Sequence, residues 1–382
     1  MPMRWIGLLL GLGTLSTLAL AQSAAGPQQA EPQQPPSASP PSTRVSQQAE
    51  KPAKKPVDGH LVRVETTTAP AEMATVFYPP LRCDGDGNLY LRTDSGGVPA
   101  IHKLNPKGER VALFEASSNL DLKVDVARYF ALGTDGGELY ELVYPHEINR
   151  YVFVYKSDGS FKSAVKLRPG FPFMPKKLAV FPSGQLLISG EEYDADRTAT
   201  MWPLTGIFAA DGSLLKELEL GDEKDLHDMA TAGDTRFASP TPNTNQNRAV
   251  DNGQIEVAAD GNAYLMRWTN PAIFYAISPG GKVVRGFTVD PGDSSYLPAA
   301  MHVYRNRIAV LFVKMHVNEE IMKIVDLEGH EIATYDGPKP DAKAPNGTLS
   351  AAFACYTENP TRFVFLGADN KDRVQLWIAE PR

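Results

Sequence analysis

The chain has little of what a familiar active site is built from. It contains no G-x-S-x-G elbow, no H-E-x-x-H pair and no phosphate-binding loop, so the signatures of α/β-hydrolase, zincin and P-loop chemistry are absent. Its two cysteines, Cys83 and Cys355, are too few for a disulfide framework. Positive charge is scarce as well: 38 Lys and Arg stand against 45 Asp and Glu, a net charge of −7 with no basic stripe. That balance argues against nucleic acid and anionic membrane as partners. Beyond Leu20 no run is apolar enough to cross a bilayer, so no transmembrane segment is expected in the mature chain. The seven histidines, at 60, 102, 146, 227, 302, 316 and 330, form no metal-binding spacing, although His146, His227 and His316 fall in predicted loops.

What is present begins with MPMRWIGLLLGLGTLSTLALAQS. One positive charge, an apolar run and small residues at Ala19 and Ala21 make the three-part layout of a signal peptide over 1–21, cleaved after Ala21. A membrane-spanning helix is the alternative, and the run is short for it. No cysteine follows the cleavage point to carry a lipid. The protein is therefore expected to be exported, to a periplasm or the extracellular space. Residues 22–58 are rich in Gln, Pro, Ala, Ser and Lys, with too few apolar side chains to offset the entropy of ordering, and read as a disordered linker. The folded domain is expected over 59–382.

That domain is built on a repeat, clearest in GQIEVAADGNAYLMRWTNPAIFYAISPGGKVVRGFTV from Gly253 to Val289. Gln254–Ala258, Ala263–Trp268, Ala272–Ile277 and Lys282–Val289 read as four strands, joined by the Asp260-Gly261 turn, the Asn270-Pro271 break and the Pro279-Gly280-Gly281 turn. Aligning copies by their hairpin glycines, 108, 159, 212, 281 and 329, gives spacings of 51, 53, 69 and 48 residues. A period near 50 suits four strands with loops, and the 69 marks an insertion. A sixth copy, from Ala351 through Val374–Ile378, runs out of chain before its fourth strand. The β-rich run His60–Thr68 is the candidate to supply it. A meander cannot bury both its faces alone, and pairing the two chain ends would hide both edges of the stack. The expected fold is all-β: a six-bladed β-propeller of four-stranded antiparallel blades, its ring closed by pairing the N-terminal strand with the last blade.

The D-G-x-G/A-x-h-Y-L turns followed by h-x-h-x-x-x-G hairpins, as in Asp84 to Leu91 and Asp260 to Leu265, resemble the six-bladed propellers of the NHL-repeat and TolB-like type. The resemblance implies an architecture that hosts binding modules and several unrelated enzymes alike.

In such a ring the links between blades and the loops between second and third strands share a face. On that reading Glu191, Glu192, Asp194 and Asp196 approach Asp222, Asp225, His227 and Asp228 of the insertion, an oxygen-rich set that suits calcium, with His227 able to draw a transition metal. The bland reading is two solvated acidic loops. Cys83 and Cys355 sit on first strands of neighbouring blades, where they form either a ring-closing disulfide or, the favoured expectation given the strand separation, two buried free thiols. The predicted inner strands are apolar apart from Glu256. The function expected is a non-enzymatic exported propeller that binds a protein, peptide or glycan partner through one face, with no confidently assigned cofactor. The alternative is a metal-dependent hydrolase or lactonase, which needs several axial carboxylates where Glu256 alone is apparent.

Overall fold

In the computed structural model the described residues are 57–70, 77–95, 98–116, 124–145, 149–192, 202–218, 220, 253–314, 319–337, 352–368 and 373–382. The turn residues read from the sequence close hairpins as expected. After β1 (Val57–Thr68), the chain forms β2 (Phe77–Cys83), β3 (Leu89–Ser95), β4 (Val98–Leu104) and β5 (Arg110–Glu115), then β6 (Val124–Leu132), β7 (Glu138–Pro145), β8 (Tyr151–Lys156) and β9 (Phe161–Lys166). The next groups are β10 (Phe173–Val180), β11 (Leu186–Glu192), β12 (Trp202–Phe208) and β13 (Leu214–Leu218), and β14 (Gln254–Val257), β15 (Ala263–Met266), β16 (Ala272–Ile277) and β17 (Val283–Val289). Finally come β18 (Tyr296–Tyr304), β19 (Arg307–Lys314), β20 (Glu319–Asp326) and β21 (Glu331–Asp336), followed by β22 (Ala352–Thr357), β23 (Arg362–Ala368) and β24 (Val374–Pro381). Among the described residues no helix is long and apolar enough to cross a membrane.

Each group is a four-stranded antiparallel sheet in chain order, and the last is completed by β1, in the order β22-β23-β24-β1. The first strands β2, β6, β10, β14, β18 and β22 touch in a cycle, with β22 returning to β2. The fold is a β-propeller.

Burial explains why the strands lack a clean period-two pattern. Six apolar clusters fill the joints between neighbouring sheets, one per joint, so each sheet is covered on both faces. Inner strands are accordingly buried throughout, as in β15 and β11, whereas the outermost β9 and β13 are largely exposed.

The hairpin turns have a second role. The turn between third and fourth strands of each blade lies on the outer strand of the blade before it. A Cβ added to Gly159 would run into the Leu113 carbonyl of β5, and one on Gly212 into the Lys166 carbonyl of β9. At the last joint the chain ends take the place of that turn. His60 and Arg382 exchange backbone hydrogen bonds of 3.1 and 2.9 Å, while Val57–His60 continue past the blade to pair in parallel with Ala333–Asp336 of β21. From Leu61 onward β1 pairs antiparallel with β24. The N-terminal strand thus joins two blades into one eight-stranded sheet.

The two cysteines are joined as a disulfide with Cα atoms 5.8 Å apart, inside the roughly 4.4–6.8 Å span that the bond allows. The expectation of two free thiols is thereby corrected. Both first strands carry a register irregularity against their partners, between Tyr78 and Arg82 and between Phe353 and Cys355, which re-aims the side chains beyond it.

Candidate functional site

The inner strands hold more polar side chains than their sequences suggested. Arg82, Lys176, Lys177, Gln254, Glu256 and His302 are all at least nine-tenths buried. A bulge between Ala127 and Tyr129 likewise turns Tyr129 toward this group.

Arg82 of the first blade reaches across the ring to the fourth. Its Nη1 lies 2.6 Å from Glu256 Oε1, and its Nη2 donates to the Tyr129 hydroxyl at 2.5 Å and to the Ile255 carbonyl at 3.2 Å. On the other side of Glu256, the Val303 backbone N–H donates to Oε2 at 2.6 Å and His302 Nδ1 stands 3.2 Å away. Burial by itself would push the Glu256 carboxyl up, but Arg82 and then His302 and the Val303 N–H outweigh it and hold it below the usual range. The carboxylate is therefore ionised and compensated. Stripping away one partner of such a pair costs about 3–5 kcal/mol, because the other charge is left buried and uncovered. Gln254 adds a further tie between blades, its Oε1 accepting from the Met301 N–H at 2.7 Å.

Arg82 and Glu256 also wall a cavity of about 480 Å³. Its lining comes from the ends of β2, β6, β10, β14 and β18 and from the turns that follow them, including Asp84-Gly85, Gly133 to Gly136, Ala258 to Gly261 and Tyr304-Arg305. These turns are held by their own side chains. Asp84 Oδ1 accepts from the Asn88 N–H at 2.9 Å and Oδ2 from the Tyr90 hydroxyl at 3.1 Å, and Asp260 Oδ2 accepts from the Tyr264 hydroxyl at 2.9 Å. That geometry is the physical reason an Asp-Gly turn is followed by a tyrosine, four residues after the Asp in Asp260–Tyr264 and six after it in Asp84–Tyr90.

The cavity opens on the face of the first-to-second-strand turns, opposite to the face the sequence pointed to. Of the acidic residues singled out there, Glu191 and Glu192 belong to the end of β11 rather than to a loop. Glu191 is fully buried, with Lys176 Nζ 3.0 Å from its carboxylate. The loop reading of these two is corrected: the second strand runs on to Glu192, pairing with Phe173 and Met174 of β10. Asp194, Asp196, Asp222, Asp225, His227 and Asp228 lie outside the described residues, as do His146 and His316. Among the described residues no group of three or more His, Cys, Asp or Glu is placed to hold a metal ion. Glu256 was visible in the sequence as the polar exception on an inner strand. Arg82, Tyr129 and His302 were not, because nothing in the chain brackets residues 82, 129 and 302 together with 256.

No family model matches the chain, and no curated protein matches it. Solved structures similar to it include a protein of unknown function from Bacteroides thetaiotaomicron VPI-5482, 12% identical with a TM-score of 0.45 over 85% of this chain and 74% of that one. Another is the uncharacterised protein lmo1340 from Listeria monocytogenes EGD-e, 10% identical with a TM-score of 0.39 over 79% and 77%. The Pan2 WD40 domain of Neurospora crassa is 10% identical with a TM-score of 0.39 over 83% and 95%. Likenesses at this level carry no inference about ligand or activity.

Proposed function

We propose that this protein is an exported, non-enzymatic β-propeller of the NHL-repeat or TolB-like kind that binds a protein, peptide or glycan partner through one face of the ring. The observation that carries the reading is the axial cavity. It is large enough for a ligand, with a volume of about 480 Å³ against the roughly 300–1,000 Å³ of small-ligand sites. Its polar floor is a salt-bridged network braced from several blades rather than a set of open catalytic groups. The metal-dependent hydrolase reading rested on Glu256 as an axial ligand. That carboxylate already faces Arg82 on one side and His302 on the other, and a cation entering there would have to displace a guanidinium. The acidic chain and the signal-like first residues support export and argue against nucleic acid.

Hydrogen exchange on the intact chain, with and without a soluble envelope extract of the exporting cell, tests the face. Slowed exchange is expected in the turns at 84–88, 133–137, 258–262 and 304–306, with the outer turns at 105–108 and 210–213 unchanged. Protection confined to the outer turns would end this reading.

A further inference from the structure

We propose that the axial cavity takes the carboxylate of an apolar peptide, held by Arg305 at its rim; this rests on the reading of the cavity face as the binding surface. Besides His302, the charged side chains lining the cavity are Arg82, Asp84, Glu256 and Arg305. Arg82 and Glu256 pair at 2.6 Å, and Asp84 has Lys103 Nζ at 3.4 Å. His302 adds no negative charge in either state of protonation. That leaves the exposed Arg305 guanidinium, which among the described residues has no carboxylate partner and stands 5.2 Å from the centre of the Tyr304 ring. Glu358, on the neighbouring blade's turn, is already taken by Arg307 Nε at 3.5 Å and by the Tyr356 hydroxyl at 3.0 Å. A guanidinium is always charged in a protein. Among the described residues the cavity thus carries at least one uncompensated positive charge, in a chain of net charge −7.

The backbone singles out the same residue. Arg305 has φ +52°, whereas in the other first-to-second-strand turns the residue at positive φ is Gly87, Gly136, Gly184, Gly261 or Asn359. Glycine and asparagine visit this region at little cost, and arginine does not. An arginine kept at a strained turn position beside a cavity points to a task for its side chain rather than to turn formation. The rest of the lining selects the body of the ligand. Arg82 and Glu256 bond each other, the Tyr129 hydroxyl and the Val303 N–H, so little of the floor is left to bond the hydroxyls of a sugar. Leu132, Val180, Pro182 and Val257 give the walls apolar surface for aliphatic side chains. Gly85 and Gly261 have open space where a side chain would stand. They leave main chain bare at the rim, where peptide amides find partners and an alkyl chain does not.

The test is calorimetric titration of the intact chain with the peptide acetyl-Ala-Ala-Leu as its free acid, the same peptide as its C-terminal amide, glucuronate and octanoate. The acid is expected to bind, more weakly as salt is added, and the amide to bind about tenfold or more less tightly. Arg305→Asn removes the guanidinium but tolerates the positive φ. It should lose the same factor of affinity for the acid while its melting temperature stays level or rises. Arg305→Lys keeps the charge without the fork and should retain part of the affinity. Equal binding of acid and amide, binding by glucuronate or octanoate alone, or binding by none of the four would overturn the proposal. So would an Asn variant that binds the acid undiminished or melts well below the parent chain, since the arginine would then serve the fold and not a ligand. Should these fail while envelope extract still protects the cavity turns, the carboxylate assignment falls and the face-binding reading stands.

Discussion

At Glu141, on β7, burial and charge oppose each other without resolution. The residue is fully buried, its Oε2 accepts from the Tyr155 hydroxyl at 3.1 Å, and its Oε1 has no partner among the described residues. Burial pushes its carboxyl up to about 8, against the smaller pull of the Tyr155 hydroxyl and Arg92. In the unfolded chain the group titrates near the ordinary value of about 4.3. The folded state therefore binds the proton more tightly, so this group's contribution to stability is full below the unfolded value and is lost as pH rises toward the folded one. Glu141→Gln, which keeps the shape without the charge, should raise the melting temperature at pH 8.5 more than at pH 5, by roughly 1–3 kcal/mol of stability. Equal melting shifts at both values would show the carboxyl to be ionised in the fold. Glu256 is the opposite case: buried too, but held ionised chiefly by Arg82.

Among elements, the hairpin turn is where sequence and packing are most tightly linked. The glycines that marked the repeat do more than reverse the chain, since each outer turn is wedged against the preceding blade. Gly159 has φ +92° and faces the Leu113 backbone, whereas Gly261, with φ +79° in a first-to-second-strand turn, has open space around it. Gly159→Ala should cost on the order of 2–4 kcal/mol, combining backbone strain with a displaced blade, and Gly261→Ala only about 1 kcal/mol. Denaturant unfolding of the two variants measures the difference, and equal losses would show that strain alone matters. In the clearest repeat the strand bounds were legible to within two residues, since Ala272–Ile277 is β16 as read and Lys282–Val289 begins one residue before β17, whereas β1 and β24 each run three residues beyond the His60–Thr68 and Val374–Ile378 that were read. Bulges were not legible. The irregularities before Tyr129 and Lys177 each insert one extra residue and shift side-chain parity, so alternation along these strands misassigns which residues face the axis, and the one before Arg82 inserts two and breaks the register of β2.

For the whole molecule, the decisive contacts are those that close the ring. The β1–β24 pairing and the Cys83–Cys355 bond both span the joint region of the chain ends, the disulfide over a sequence separation of 272 residues. Chain-entropy arguments put the bond's contribution on the order of 3–5 kcal/mol. Reduction, or the Cys83→Ala/Cys355→Ala pair, should therefore lower the melting temperature by roughly 5–15 °C without dissolving the fold, because β1 and the apolar joints remain. The intact mass of the oxidised chain should fall short of the reduced one by two hydrogens. A full complement of free thiols in the protein purified under non-reducing conditions would show that the bond does not form.

The sequence by itself determined the repeat, the four-stranded unit and the strand exchange between chain ends, because turn chemistry and strand propensity are local and an unpaired final strand leaves an obvious vacancy. It also singled out Glu256 as the odd residue on the axis. Only the tertiary structure decided which face carries a cavity, that Arg82 crosses the ring to neutralise Glu256, that Glu191 lies inside a blade, and that the cysteines meet. Those outcomes depend on which residues from distant blades converge on the axis. That convergence is set by blade packing and by single-residue bulges, and neither leaves a periodic trace in the chain.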